Sequence, residues 1–222
     1  FIAQGTILRD QEYPDTVLIG EGTSESGDKI QEMYEKMTSS TPEIHRMSRK
    51  EAEICKISLN CFLTTKIAYA NMIGDIARFS GVRPEPILKA VGSDTCIGHK
   101  YLGYGYGYGG PCFPRDNRAL ALFAGDVCVE ALISEASDKS NKQHLDYQVE
   151  LFKRENPLHI PVEFDYVTYK PQSTMLVESQ QLLFAVRLAR DGYTVTLNER
   201  DSVIAELQKM YGDLFIYRSR GK

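Results

Sequence analysis

The chain has 222 residues and a formal net charge of −4. Its 25% of charged residues is typical of a globular protein. Because the chain is slightly acidic, no basic surface for nucleic acid is expected. No apolar run approaches the ~20 residues that cross a bilayer, so no membrane partner is expected. The chain has five cysteines and no C-x-x-C pair, which argues against a disulfide framework or a zinc ribbon and favours a reducing cytoplasm. Its four histidines have no metal-ligand spacing, which argues against a metal site.

The first 47 residues have the pattern of an α/β unit. A buried strand is predicted at residues 16–20 and another at 43–47, on either side of an amphipathic helix at 26–39. The chain begins with Phe1 rather than Met, and the unit lacks the beginning that such a unit needs. We therefore interpret the chain as a piece of a longer polypeptide.

A long helix is predicted over residues 49–79. Ser48 and Glu51 form a capping box at its start, and Gly81 ends it. Much of its surface is apolar, which favours burial between domains or in a dimer interface. Three further helices are predicted after it, at 85–91, 115–137 and 137–156, the last of them a polar connector.

The last part of the chain has a β-α-β pattern. Strands are predicted at 162–168 and 193–198, on either side of a helix at 175–190. Asp201 is predicted to cap one more helix. Strands that alternate with helices predict a parallel, doubly wound sheet, and hence the α/β fold class.

The most informative stretch is GYGYGGPCFPRD, which runs from Gly105 to Asp116. It places Cys112 directly after a glycine-rich turn and four residues before the carboxylate of Asp116. A thiolate in such a place can attack a carbonyl carbon, while backbone N–H groups hold the oxyanion and the acid positions water. The alternative is a cysteine that only packs in a loop, since free cysteine is usually a small apolar core residue.

Lys56 and Asn60 lie four residues apart on the long predicted helix, so their side chains share one face. An ammonium group beside an amide can stabilise an oxyanion. A surface lysine beside an asparagine has the same spacing and no such role. Arg115, next to Asp116, could neutralise a phosphate or hold that carboxylate, or it could simply lie at a solvated helix start.

The glycine–tyrosine run also contains a literal G-x-G-x-x-G, from Gly105 to Gly110. A dinucleotide fingerprint must follow a strand and open a helix, with an acidic residue about 20 residues later. Here a tyrosine-rich loop precedes the motif and a Pro-Cys pair follows it. We interpret the run as backbone that approaches a ligand closely, with tyrosines that can stack or hydrogen-bond.

The motif GYGGPCFPRD resembles the catalytic-cysteine signature, GxGGSCFPKD, of the UDP-glucose/GDP-mannose dehydrogenase family. AEICKISLNCFLTTKIAYANMIGDIA resembles the long central helix of that family, with its Lys-x-x-x-Asn pair. FIAQGTILRDQEYPDTVLIG, DTCIGHKYL and YKPQSTMLVES resemble the segment after the family's catalytic glutamate, the run before its substrate loop and the start of its C-terminal domain. The chain is thus identified as a member of this family that lacks most of the N-terminal NAD domain.

The resemblance implies an α/β fold in three parts: the tail of a Rossmann-like NAD domain at 1–47, a helical central dimerisation domain at 48–139, and a connector with a partial Rossmann-like, nucleotide-sugar-binding domain at 140–222. It implies a cytoplasmic homodimer through the central helix, with NAD as cofactor. The implied reaction is oxidation of UDP-glucose to UDP-glucuronate for polysaccharide synthesis, by two hydride transfers through a cysteine thiohemiacetal and thioester. The chain alone is expected to be inactive, because the NAD fingerprint and the catalytic glutamate would precede Phe1.

The resemblance also implies a role for each matching residue. Cys112 would trap the aldehyde, and Asp116 would assist the attacking water. Lys56 would stabilise the oxyanion or handle a proton, and Asn60 would orient the substrate or the oxyanion. Cys112 and Arg115 are implied to contact the cofactor. The residues implied to bind substrate are Phe1, Ile2, Lys56, Asn60, Tyr101, Tyr104, Gly105, Tyr108, Gly109, Tyr169 and Lys170.

Four positions depart from the family pattern. Pro111 replaces the usual serine, which removes a hydroxyl and an N–H beside Cys112, and Gln4 replaces a frequent glutamate. Cys96 and Val177 stand where many members have arginines that reach the partner's substrate and the cofactor. These departures leave open a non-catalytic relative, a dimerisation or nucleotide-sugar-binding protein that lost the NAD domain. A different cysteine acyl-transfer enzyme is a third hypothesis, but it needs a paired base that the sequence does not show.

Overall fold

The computed structural model of the chain describes residues 6–221. The chain divides into two compact units, Phe1–Leu59 and Asn60–Lys222, and the boundary falls inside one long helix. The substrate contacts predicted for Phe1 and Ile2 lie outside the described residues and stay predictions.

The N-terminal unit is built on one β-α-β connection. β1 and β2 are parallel neighbours, with Thr16 opposite Glu43, and α2 crosses between them, so the predicted strand–helix–strand order is confirmed. The helix α1 is an element that the sequence pattern does not predict. The elements of this unit are α1 (Ile7–Glu12), β1 (Thr16–Glu21), α2 (Ser24–Met37), β2 (Glu43–Ser48) and the first part of α3 (Arg49–Phe79).

A capping box starts α3, as predicted. The Ser48 N–H donates to Glu51 Oε2 at 2.8 Å, and the Glu51 N–H donates to Ser48 Oγ at 3.4 Å. The hydrogen bonds with the side chain and the backbone of Ser48 lower the pKa of Glu51. The helix ends at Phe79 as predicted, because Gly81 adopts φ +76°, a left-handed conformation that favours glycine.

The C-terminal unit combines helices with a second parallel sheet, of strand order β3-β4-β5. The core of the unit includes Leu188, Leu197 and Leu207, which are fully buried. The predicted α/β class is confirmed. Besides the rest of α3, the elements of this unit are α4 (Pro84–Gly92), α5 (Phe113–Asp126), α6 (Leu132–Glu155), β3 (Val162–Phe164), α7 (Gln180–Arg190), β4 (Val195–Glu199), α8 (Asp201–Tyr211), a 3₁₀ turn (Gly212–Leu214) and β5 (Ile216–Ser219).

The single helix predicted over 115–137 is wrong, because the structure has two helices there. α5 and α6 are separated by residues 127–131, and Cys128 between them adopts φ +57°. The Cys128 N–H donates to the Gly125 carbonyl at 3.0 Å, which satisfies one carbonyl at the end of α5. Gly125 is therefore a local stop signal that the apolar pattern around it hides.

The polar connector predicted at 137–156 belongs to α6, whose polar face points inward. A polar stripe at helical spacing looks like a solvated face in sequence. Here the stripe faces the interior of the unit, where loops need hydrogen-bonding partners. The buried residues of α6 are Ser134, Ser137, Asn141, His144 and Val149.

Several predicted boundaries near the C-terminus are shifted. The strand predicted at 162–168 is limited to β3, and the helix predicted at 175–190 begins only with α7. Ser179 caps α7, and its Oγ accepts a hydrogen bond from the Leu182 N–H at 3.3 Å. Asp201 is the first residue of α8 rather than its cap, and β5 is not predicted from the sequence.

Ser48→Ala tests the capping box of α3. Loss of the side-chain oxygen should lower the free energy of unfolding by about 1 kcal/mol, because a helix N–H loses its acceptor. Ser58→Ala on the exposed surface of the same helix is the matched control, and it should be neutral or slightly stabilising because alanine is the better helix former. Urea denaturation followed by circular dichroism measures both, and equal effects would contradict the capping role.

Candidate active site

Cys112 lies at the N-cap position of α5 and is exposed. Gly110 adopts φ +80° two residues earlier, so the chain turns sharply into the helix. Pro114 stands in the first turn of α5, where its missing N–H costs nothing. The Asp116 N–H donates to the Cys112 carbonyl at 2.8 Å, which closes that first turn. An accessible thiol is therefore held at the positive end of a helix dipole.

Asp116 joins two other predicted site residues. Its Oδ2 accepts a hydrogen bond from Asn60 Nδ2 at 2.6 Å, and its Oδ1 accepts from Arg115 Nη2 at 2.9 Å. Asp116 is 6% exposed, whereas the Arg115 side chain is 68% exposed. The hydrogen bonds that Arg115 donates to Asp116, followed by the negative charge of that carboxylate, raise the pKa of Arg115. The structure thus brings Asn60, Arg115 and Asp116 together, one helical turn from Cys112.

Buried contacts between α3 and α5 support this arrangement. Asn117 Nδ2 donates to Thr64 Oγ1 at 2.7 Å, and both residues are fully buried. Cys61 Sγ lies 3.5 Å from the Asp116 carbonyl, as a weak donor. These contacts fix the rotation of α5 relative to α3, and with it the place of the carboxylate.

The loop between Tyr104 and Tyr108 is held by side chains of two helices. Asn71 on α3 accepts from the Gly105 N–H at 3.1 Å through its Oδ1. Asn141 on α6 accepts from the Tyr108 N–H at 2.8 Å and donates to the Tyr108 carbonyl at 2.9 Å. Because this loop has no strand partner, these amides supply the partners that its backbone needs.

Tyr104 and Tyr108, two of the three tyrosines of this loop, point into the protein, whereas Tyr106 is 40% exposed. The Tyr104 hydroxyl donates to Asp75 Oδ1 at 3.1 Å, and burial, followed by the charge of Asp75, raises the pKa of Tyr104. Tyr108 is 3% exposed and packs edge-to-face on Phe113. Burial, followed by the charge of Asp138, raises the pKa of Tyr108, whose hydroxyl has no hydrogen-bonding partner among the described residues. Both hydroxyls therefore remain protonated at neutral pH.

The turn before Cys112 packs closely on the segment ahead of α7. The Gly110 N–H donates to the Val177 carbonyl at 3.0 Å. A Cβ atom at Gly109 would come 2.2 Å from the Glu178 carbonyl, and one at Gly110 would come 2.5 Å from the Tyr169 ring. Two predicted contact residues therefore take part in this packing: Gly109 belongs to the turn, and Tyr169 lies against it. Only glycine at positions 109 and 110 leaves room for the segment ahead of α7 to approach the turn.

The remaining predicted residues lie as follows. Lys56 stands in the N-terminal unit, on α3, where it lines a depression of about 430 Å³ with Gly20 at the carboxyl end of β1. Tyr101 is 48% exposed at φ +62°. Lys170 Nζ lies 5.5 Å from the centre of the Tyr169 ring, within cation–π range.

Residues 6–221 show no metal site and no disulfide. In that range no group of three or more His, Cys, Asp or Glu side chains is placed to hold a metal ion. The five cysteines all lie within it, and none of them forms a disulfide. No helix of the same range is long and apolar enough to cross a membrane.

Sequence reasoning missed the residues that hold the loop. The signal that could have found them is spacing. Asn71 and Asp75 are four residues apart on α3, and Asn141, His144 and Gln148 are three and four apart on α6, so each set shares a helix face. Paired polar faces on two helices beside a glycine-rich loop indicate partners for that loop.

Gly109→Ala tests the close approach beside Cys112. The added Cβ would meet the backbone carbonyl of Glu178, so the variant should lose about 1–3 kcal/mol of unfolding free energy. Gly103→Ala is the control, since no atom lies within 4 Å of its Cβ position, and it should change stability by less than about 0.5 kcal/mol. Thermal denaturation compares the two, and equal losses would contradict the packing described.

Comparison with known proteins supports the family resemblance. Residues 50–143 match the family model described as UDP-glucose/GDP-mannose dehydrogenase family, central domain. The chain is 30% identical over 205 residues to a UDP-glucose 6-dehydrogenase of Pseudomonas aeruginosa, and 29% identical over 203 residues to a GDP-mannose 6-dehydrogenase of Pseudomonas putida. Each alignment covers 90% of the chain and 45% of the relative, so the chain spans less than half the length of these relatives.

The fold agrees with a solved structure as well. A UDP-glucose dehydrogenase from the hyperthermophilic archaeon Pyrobaculum islandicum matches with a TM-score of 0.86 at 29% identity, over 98% of this chain and 50% of that one. Sequence and fold thus agree on the helical region that carries Asn60, Cys112 and Asp116. Residues 50–143 of the chain belong to the central domain of the UDP-glucose/GDP-mannose dehydrogenase family.

Proposed function

We propose that this chain is part of an NAD-dependent nucleotide-sugar 6-dehydrogenase that oxidises UDP-glucose to UDP-glucuronate in the cytoplasm. The observation that carries the proposal is the exposed Cys112 at the start of α5, one turn from an Asp116 carboxylate held by Asn60. UDP-glucose is the substrate named for several relatives, including those of Pseudomonas aeruginosa and Rickettsia bellii. GDP-mannose is named for others, and it is the alternative sugar.

In this proposal Cys112 is the nucleophile. Its sulfur attacks the aldehyde carbon of the half-oxidised sugar and forms a thiohemiacetal. Loss of a hydride from that carbon would then give a thioester, which water hydrolyses to the carboxylate and the free thiol. The helix N-terminus favours the negative charge that develops on the sulfur and the adjacent oxygen. Asp116 assists the attacking water, because a buried carboxylate with fixed hydrogen bonds can orient it.

Asn60 and Lys56 stabilise the oxyanion in the same proposal. The Asn60 amide is held by its bond to Asp116, so its orientation is set before substrate binds. Lys56 stands one helical turn earlier on α3 and supplies a positive charge. The backbone from Gly103 to Gly109 lines the sugar site, and Tyr169 with Lys170 contributes from the segment before α7.

The cofactor of the proposal is NAD, which supplies the hydride acceptor for both oxidations. The groups of this chain that fit it are Cys112 and Arg115. The Arg115 guanidinium is exposed even though it is bonded to Asp116, so it can meet a phosphate without leaving the carboxylate.

Cys112→Ala tests the mechanism in the protein expressed from its complete reading frame. Turnover of UDP-glucose should fall at least about 1,000-fold, because the covalent intermediate can no longer form. The matched control is Cys128→Ser, which changes another exposed cysteine at the α5–α6 connection and should leave turnover unchanged. NADH formation followed at 340 nm measures both variants, and retention of activity in Cys112→Ala would sink the mechanism.

Thiol labelling separates the proposal from a non-catalytic relative. A catalytic Cys112 should react with iodoacetamide at least about tenfold faster than the other four cysteines. Uniformly slow labelling of all five, in a protein that binds UDP-glucose without forming NADH, favours the binding protein.

We also propose a homodimer through α3. Three large apolar side chains stand seven residues apart on one stripe of this helix: Phe62 is 65% exposed, Tyr69 46% and Ile76 57%. Positions that repeat every seven residues lie on one face of the helix, which a second helix can cover. The proposal explains why the predicted interface helix exposes these residues in a single chain.

Phe62→Glu should raise the dimer dissociation constant at least about 100-fold, because association would bury an unpaired charge. Leu122→Glu is the control, since Leu122 is 74% exposed on α5, outside the stripe. Sedimentation equilibrium measures the dissociation constants. A dimer unaffected by Phe62→Glu but broken by Leu122→Glu would move the interface to α5.

A further inference from the structure

A buried pair, Asp75 on α3 and His144 on α6, has no part in the chemistry proposed above. Asp75 is 6% exposed and His144 is 2% exposed, and His144 Nδ1 lies 2.7 Å from Asp75 Oδ2. Removing two ionisable groups from water is unfavourable, and an apolar pair of similar size would join two helices at least as well. Helix packing alone therefore does not account for the pair.

The partners of the pair fix where its protons lie. His144 Nε2 lies 2.7 Å from the Gly105 carbonyl, which can only accept, so Nε2 carries a hydrogen. The other ring nitrogen faces a carboxylate oxygen, so one proton lies between Nδ1 and Oδ2. The second oxygen of Asp75 accepts from the Tyr104 hydroxyl at 3.1 Å. Every polar atom of the pair therefore has a partner, and the imidazole is fixed as a donor to the loop.

The carbonyl that His144 holds belongs to the predicted substrate loop. The same Gly105 carbonyl accepts from Gln148 Nε2 at 3.1 Å, and the Gly105 N–H donates to Asn71 Oδ1 at 3.1 Å. Both backbone groups of Gly105 are thus bound to side chains of α3 and α6. Tyr104 is held from the same side, because its hydroxyl is bonded to Asp75 and its ring meets the His144 ring edge-on at 5.6 Å.

We propose that Asp75 and His144 are positioning residues for nucleotide-sugar binding, which act through the Gly105 carbonyl. The assignment rests on the proposed function for its substrate. Neither residue touches the sugar. Asp75 orients the imidazole, the imidazole holds Gly105, and Gly105 fixes the backbone of the loop from Tyr104 to Tyr108. Binding then does not have to order that loop, which favours affinity for the sugar.

Three variants test the assignment, with amide hydrogen exchange of residues 104–108 and steady-state kinetics with UDP-glucose as readouts. His144→Phe keeps the ring and removes both donors. His144→Gln keeps one N–H that can reach the Gly105 carbonyl. Val149→Ala is the control, because Val149 is 3% exposed on the same helix but packs in the core of the C-terminal unit.

His144→Phe should speed exchange of the loop amides in the ligand-free protein at least about tenfold, and His144→Gln should restore most of the protection. The KM for UDP-glucose should rise at least about tenfold in His144→Phe, with kcat changed less than about threefold, since Cys112 lies outside the loop. Val149→Ala should lower the melting temperature and leave the loop amides and the KM unchanged.

Gln148→Met provides a second test if His144→Phe does not fold. It removes the other donor to Gly105 and also removes Gln148 Oε1, a buried atom without a hydrogen-bonding partner in the described part of the chain. Stability should change little, because a satisfied and an unsatisfied group are lost together. Exchange of the loop amides and the KM should still rise, by less than in His144→Phe.

Two results would overturn the assignment while leaving the proposed function intact. In the first, the wild-type protein oxidises UDP-glucose, and both His144→Phe and Gln148→Met have the same KM as the wild type. In the second, the loop amides exchange as fast in Val149→Ala as in His144→Phe. A wild-type protein that neither binds nor oxidises a nucleotide sugar overturns the proposed function first. In that case faster exchange in His144→Phe still identifies the pair as the anchor of the loop.

Discussion

Side-chain hydrogen bonds to loop backbone are the interaction on which the candidate site depends. The loop from Tyr104 to Tyr108 pairs with no strand. Without side-chain partners, its buried N–H and carbonyl groups would lose their hydrogen bonds to water and gain none in the protein. Asn71 and Asn141 supply amide groups for them, and His144 supplies a ring N–H. Polar residues on the inner faces of α3 and α6 are therefore required by the loop, although they are unfavourable as helix-packing residues.

The same constraint explains where glycine is needed. A side chain can reach a backbone only if the two approach closely, and a Cβ atom in the way prevents the approach. A Cβ at Gly107 would come 2.4 Å from Asn141 Oδ1, and one at Gly74 would come 1.9 Å from the Tyr104 ring. The glycines at these two positions thus serve the anchoring of the loop, one on the loop itself and one on the helix behind it.

Local signals allowed much of the fold to be predicted, and long-range pairings explain most of what could not be. The limits of α3 follow from Ser48, Glu51 and Gly81, which act within one turn of the helix ends, and sequence alone locates them. The break between α5 and α6 escaped prediction because the apolar pattern around Gly125 hides its stop signal. The inward polar face of α6 escaped because a polar stripe gives the same sequence pattern whether it meets water or a loop. In the site, Cys112 and Asp116 are visible as a motif, whereas the bond from Asn60 to Asp116 joins residues 56 positions apart.

Two of the positions that depart from the family pattern, Cys96 and Val177, lie on the surface. Val177 is 52% exposed, and the turn before Cys112 uses its carbonyl rather than its side chain. Cys96 is also exposed, and its N–H donates to Asp94 Oδ1 at 2.8 Å. Neither side chain is needed for the local fold, so the arginines that the resemblance implies at these positions would affect what the surface binds rather than how the chain folds. Pro111 differs from both, because it stands beside Cys112, the proposed nucleophile, and restricts the backbone that presents the thiol.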